Sequence, residues 1–250
     1  MPLGRNSGLL GRISWYVAVG ILLVLPARRL LADRQKIEFG VHRKMTAVLM
    51  TPDGPGPFPG VLLLHTAGGL ESADLDYARR LNHEGYVVLA PYFLRAYPAL
   101  TLLKIGRREI FTTNGQSIYD DFVDGLSVLR ANPKVQGRKL GAIGFSAGGY
   151  FAVWLAATNQ VQAGVSYYGA LTAAGGDDNL DRFRKLFTRA SAPVLILHGT
   201  MDLTVPFSSA VKLDAILTSA QTPHEFYRYP VGHRFDRDLS DGSPVPEEAW

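Results

Sequence analysis

Cysteine is absent from all 250 residues. That absence excludes a disulfide framework, a thiolate nucleophile and a cysteine-ligated metal centre, and it leaves the redox compartment open. Histidine is scarce, with six in the chain. No two of them stand at the spacing of a metal-binding pair, so a metal hydrolase is disfavoured. Charged residues make up 19% against 47% apolar ones, a balance that supplies a core and excludes global disorder. There is no internal repeat and no low-complexity tract. The length suits one α/β domain of ordinary size.

An electrostatic footprint for nucleic acid is also missing. The formal charge of +4 is carried by the amino terminus, because residues 1–44 hold eight basic and two acidic residues. Residues 33–250 carry 22 basic and 22 acidic residues, a neutral domain with no stripe for a phosphate backbone.

The longest apolar stretch, Ile13 to Ala27 within "RISWYVAVGILLVLPARR", falls short of the ~20 residues of a membrane span. Arginines flank it, and Pro26 would break a helix there. It reads as a cleaved export signal, with Ala32 as the last residue removed, or as a short uncleaved anchor giving membrane association through residues 13–27. A misassigned start is the third reading. The first two place the protein outside the cytoplasm (periplasmic or extracellular) or at a membrane; the third leaves it cytoplasmic. Residues 33–250 are taken as the folded domain.

Along that domain, Ile37–Phe39 and Ala47–Met50 read as an antiparallel pair of strands at a sheet edge. Strands and helices then alternate. Val61–Leu64, Val87–Ala90, Leu140–Ile143, Val161–Tyr167, Val194–Leu197 and Glu225–Tyr229 read as strands. Ser72–Glu84, Ile118–Ala131, Gly148–Thr158 and Ser208–Thr218 read as helices. This rhythm means βαβ units and a mostly parallel sheet with helices on both faces. The long connection over residues 91–117 reads as a lid, and the stretch around Asp177, Asp178 and Asp181 as an inserted polar loop. The chain stops at "SPVPEEAW", where Pro246, Glu247 and Glu248 look like the first turn of a helix. A covering carboxyl-terminal helix is therefore expected to be truncated.

The stretch "GAIGFSAGGY", residues 141–150, places Ser146 in a G-x-S-x-G pattern between a strand and a helix. Nucleophilic serines of α/β hydrolases stand on such a turn, where a strained backbone tolerates only small residues two positions away on either side. The alternative is a glycine-rich turn capping a helix. A serine hydroxyl needs a base, and in this fold the order is Ser, acid, His. Three histidines follow Ser146: His198, His224 and His233. His224 precedes the last strand and belongs to the opposite edge of the sheet. His233 follows that strand, which selects it as the general base. Asp202, in "VLILHGTMDLTVP" beyond a strand end, is the expected acid, with an Asx-type turn as the plainer reading. His198 is expected to shape that loop. "VLLLHTAGGL", residues 61–70, ends a buried strand where this fold places a backbone donor. The oxyanion hole is assigned to the N–H groups of Ala67 and Ala147. Tyr92, Phe93, Tyr97, Tyr167 and Tyr168 follow strand ends and read as a pocket lining or as core.

These blocks, with "LNHEGYVVLAPYFL", "VSYYGA" and "YPVGHRF", resemble the dienelactone hydrolase family of α/β hydrolases over residues 37–237. The resemblance implies hydrolysis of small esters or lactones through an acyl-enzyme, with no cofactor, and supports Ser146, Asp202 and His233 as the triad. The best-known members use a cysteine nucleophile and carry a glutamate where Thr66 stands, so general serine-esterase chemistry is favoured over dienelactone itself. Arg237 matches an arginine that binds the substrate carboxylate in the family, and with Thr66 it is a candidate substrate contact; a plain surface charge is the alternative. An acyltransferase would use the same triad, and an inactive binding protein the same fold. A peptidase is disfavoured, since no second domain gates the site.

Overall fold

The computed structural model describes residues 33–97, 111–172 and 178–237. The segment 13–27, residues 98–110 of the expected lid and the stretch read as the first turn of a truncated terminal helix lie outside them. Strands β1 (Asp33–Phe39) and β2 (Met45–Thr51) form the antiparallel edge pair. β3 (Phe58–Leu64), β4 (Val87–Pro91), β5 (Val135–Phe145), β6 (Ala163–Tyr167), β7 (Val194–Gly199) and β8 (His224–Tyr229) run parallel to one another. The eight strands stand in the order β1-β2-β4-β3-β5-β6-β7-β8.

Val61–Leu64 of β3 and Val87–Pro91 of β4 are buried on both faces, which is why they read as unbroken apolar runs. Leu62 and Leu64 point into one core and Leu63 into the other, following the two-residue period of a strand. All three are fully buried, each stabilising the fold by about 1.5–3 kcal/mol. Helices α1 (Ser72–His83), α2 (Phe93–Ala96), α3 (Gly115–Ala131), α4 (Ala147–Ala157), α5 (Asp178–Leu186) and α6 (Phe207–Ser219) complete the described elements. Side chains of α3, α4, α5 and α6 share the first core, whereas Ala78, Leu75 and Leu81 of α1 pack into the second. On that second face Ile143, Val165 and Leu195 are only partly buried.

Three elements differ from expectation. β5 begins at Val135, because Val135 pairs with Phe58 through a register irregularity that the polar Gly137-Arg138-Lys139 obscures. The four-residue α2 is too short for a periodic signature. Asp178–Leu186 is a helix and not a polar loop; Leu180, Phe183 and, just past its end, Phe187 bury one apolar stripe on an otherwise charged segment.

This topology fixes where a site can lie. The strand order reverses at β3, with β4 on one side and β5 on the other. Residues beyond the carboxyl ends of β3, β5, β7 and β8 therefore converge on a switch-point crevice.

Candidate active site

Ser146 stands between β5 and α4 with φ 51° and ψ −110°. A non-glycine residue at such a φ is strained, and its neighbours must accommodate it. A Cβ on Gly144 would lie 2.1 Å from the Gly148 carbonyl oxygen, and one on Gly148 would lie 2.1 Å from that of Leu64. Both glycines are thus required by close approach of the backbone. The turn is fixed by Ser146 N–H donating to Tyr167 O at 3.0 Å, and by Ala170 N–H donating to Ser146 O at 2.9 Å.

His233 follows β8 and Asp202 follows β7. His233 Nδ1 lies 2.6 Å from Asp202 Oδ2, and His233 Nε2 lies 3.2 Å from Ser146 Oγ. Asp202 Oδ1 accepts from the N–H groups of Thr204 and Val205, each at 2.8 Å. The Asx-type turn and the candidate acid are therefore one feature: one oxygen holds the loop and the other faces the imidazole. Burial pushes the Asp202 carboxyl up. The hydrogen bonds from His233 and from the Val205 and Thr204 N–H groups outweigh that and hold it below its ordinary value. An ionised Asp202 can only accept, so the proton sits on His233 Nδ1 and the Nε2 lone pair faces the serine hydroxyl.

The other two histidines at strand ends are locked. His198 Nε2–H donates to Val205 O at 3.0 Å and lies 3.4 Å from Asp202 Oδ2. It braces the acid loop, as the sequence suggests. His65 Nδ1–H donates to Thr66 O at 2.6 Å, and its ring stacks on Phe93 at 4.0 Å. Burial lowers the His65 pKa to about 3. His224, at the start of β8, pairs with Asp214 far from the serine edge.

The loop 65–71 abuts the serine turn, since Gly148 N–H donates to His65 O at 3.2 Å. Neither the Ala67 nor the Ala147 N–H is spent on a hydrogen bond among the described residues. Thr66 is buried, and its Oγ1 accepts from the Gly68 N–H at 3.0 Å. A cavity of about 210 Å³ opens beside this loop, bordered by Gly68, Leu70, Tyr92, Leu94 and Arg95. Of the aromatic residues read as lining or core, Phe93, Tyr97, Tyr167 and Tyr168 are buried in the core and Tyr92 reaches the cavity.

Arg237, the candidate substrate contact, is no plain surface charge: its side chain is buried and engaged by Asp236, Asp74 and Glu71. The sequence reading assigned these carboxylates no role, and Tyr168, behind His233, was legible in it only as pocket lining or core. The one available hint was Asp74, which stands three residues after Glu71 at a helix start and accepts its N–H.

The sheet order, the strained serine turn and the crevice at the switch point define an α/β hydrolase. The model of the dienelactone hydrolase family matches residues 45–249, and the chain belongs to that family. A protein of Escherichia coli O157:H7 named "Putative carboxymethylenebutenolidase" is 31% identical over 209 residues, covering 78% of this chain and 74% of its own. A protein of the same name from Synechocystis is 24% identical over 83% of this chain and 88% of its own. Among solved structures, a dienelactone hydrolase-like promiscuous phosphotriesterase from metagenomic libraries superposes with a TM-score of 0.68 at 21% identity. It covers 87% of this chain and 92% of that one, a likeness of fold. The chain is a hydrolase of this family.

Proposed function

We propose that the protein cleaves small carboxylic esters or lactones through a serine acyl-enzyme. The observation that carries this reading is the continuous relay Ser146 Oγ, His233 Nε2, His233 Nδ1 and Asp202 Oδ2, at 3.2 and 2.6 Å, on a strained serine. The likeness to proteins named carboxymethylenebutenolidase, and to a Bradyrhizobium protein named a probable lactonase, supports the substrate class.

In the first step Ser146 Oγ attacks the acyl carbon while its proton passes to His233 Nε2. The tetrahedral oxyanion lies against the Ala67 and Ala147 N–H groups, where each donor contributes about 2.7–4 kcal/mol of transition-state stabilisation. Asp202 stabilises the imidazolium that forms. The C–O bond to the alcohol breaks, and the alkoxide takes the proton from Nε2. Water then attacks the acyl-serine, gives a proton to Nε2, and the acid leaves as Ser146 recovers its hydrogen. With a lactone the alcohol stays tethered to the acyl group and leaves with it. Thr66, buried and hydrogen-bonded within its own loop, supports Ala67 in this scheme.

The test is turnover of p-nitrophenyl acetate and butyrate by the wild type and by Ser146→Ala. Turnover that vanishes in the variant is the expected result. Equal rates in the two proteins would overturn the reading and favour a binding protein on the same fold.

A further inference from the structure

A cluster of five charged side chains lies beside the relay without taking part in it. Arg237 is 8% exposed. Its Nη2 donates to Asp74 Oδ1 and to Asp236 Oδ2, both at 2.9 Å. Its Nε donates to Asp236 Oδ2 at 3.1 Å, and its Nη1 to Glu71 Oε2 at 3.2 Å. Four of the five guanidinium N–H donors therefore have carboxylate acceptors. The guanidinium also lies over the Phe145 ring, 5.6 Å from its centroid, and Phe145 immediately precedes Ser146.

Each partner leads to the relay. Asp74 Oδ2 accepts the Glu71 N–H at 2.8 Å, which closes the amino terminus of α1 and the end of the oxyanion loop. Glu71 is gripped a second time by Arg234, the residue after His233. Asp236 accepts the Tyr168 hydroxyl, and the Tyr168 ring meets His233 edge to face at 4.5 Å. Burial pushes the Asp74 carboxyl up, and the Arg237 charge opposes that.

We propose that Arg237 is a positioning residue, whose fork clamps the general-base loop (Pro230–Arg237) to the start of α1 and thereby to the oxyanion loop, and that it does not bind substrate. The proposal rests on the serine-hydrolase reading. A planar fork can hold several carboxylates in fixed relative positions; a lysine supplies the charge without that geometry. A substrate carboxylate would have to displace partners the guanidinium already holds.

The experiment compares Arg237→Gln, Arg237→Lys and Asp74→Asn with wild type and Ser146→Ala on two esters. One is neutral p-nitrophenyl acetate; the other is the p-nitrophenyl half-ester of adipic acid, which carries a free carboxylate. Circular dichroism and Tm verify folding. Arg237→Gln is expected to lower kcat by the same factor on both esters, about tenfold to a hundredfold, with each KM changed by no more than about twofold. Asp74→Asn should lower kcat in the same direction although Arg237 is intact, and Arg237→Lys should recover part of the loss. Should Arg237→Gln fail to fold, the other two variants decide. A KM increase confined to the anionic ester, or an unchanged kcat in Asp74→Asn, overturns the clamp and leaves the hydrolase standing. Wild-type turnover no greater than that of Ser146→Ala on both esters overturns the hydrolase, and the clamp with it.

Discussion

Strand β8 carries a histidine–aspartate pair at each end. His233, beyond its carboxyl end, lies 2.6 Å from Asp202; His224, at its amino end, lies 3.1 Å from Asp214. The residue types are the same and the surroundings are not. The Asp202 side chain is 0% exposed and fixed by two backbone N–H groups, whereas that of Asp214 is 30% exposed and shared with Arg228 at 3.9 Å. Both His224 nitrogens are taken, one by Thr222 O and the other by Asp214 and Thr218. His233 turns one nitrogen to a serine hydroxyl. A histidine–aspartate pair is thus an ordinary motif; the edge of a parallel sheet that it occupies, and what faces its free nitrogen, separate a relay from a surface ion pair worth about 0–1 kcal/mol.

The contrast breaks most sharply at the base. His233→Ala is expected to lower kcat by about 10⁴-fold or more, while His224→Gln, which removes the matching histidine, should keep kcat within about twofold. Steady-state rates on p-nitrophenyl acetate check both, and a comparable loss in the two variants would dissolve the distinction. The acids repeat the comparison with a smaller margin. Asp202→Asn should cost about 10⁴-fold in kcat, because an amide no longer fixes the productive imidazole tautomer. Asp214→Asn should leave kcat unchanged and lower Tm slightly. If Asp202→Asn retained most of its activity, the acid would have to be sought elsewhere.

How far such distinctions were legible in sequence depends on how local they are. Ser146 could be recognised because its glycines are close in the chain and the strain they relieve is local. Asp202 and His233 could be placed because each follows a strand, an apolar one for Asp202 and an alternating one for His233, and strand polarity alone separated His233 from His224. Arg237 was legible only through its match to a family arginine, as a candidate substrate contact or a surface charge, and not through its partners. Its partners Glu71 and Asp74 lie 166 and 163 residues away, and no periodicity or turn chemistry links such positions. The α5 helix was obscured for a different reason: its charged face dominates the composition, and the spacing of Leu180, Phe183 and Phe187 is the weaker cue.

The smallest expected effect concerns stability and uses a third histidine that has no carboxylate partner among the described residues. His65 is fully buried beside Phe93, and its pKa is lowered to about 3 from 6.5. The unfolded chain takes up a proton below pH 6.5 that the folded chain refuses, so the stabilisation is complete above that pH and is lost as pH falls toward 3. At pH 5 the loss is on the order of 2 kcal/mol. Burial lowers the His198 pKa as well, which adds in the same direction. Asp202 acts in a lower window. Its folded pKa lies below 3.8, so its contribution is present above that value and disappears only as pH falls through the folded one. Acid sensitivity between pH 6.5 and 4 is therefore assigned to buried imidazoles and not to the relay's carboxylate. His65→Leu should lower Tm at pH 7, through loss of the bond to Thr66 O, yet show a shallower fall of Tm from pH 7 to pH 5 than the wild type. Asp202→Asn should follow the wild-type slope over that interval. Parallel slopes in wild type and His65→Leu would show that burial of His65 does not set the acid limb, and would return the question to the His233–Asp202 pair.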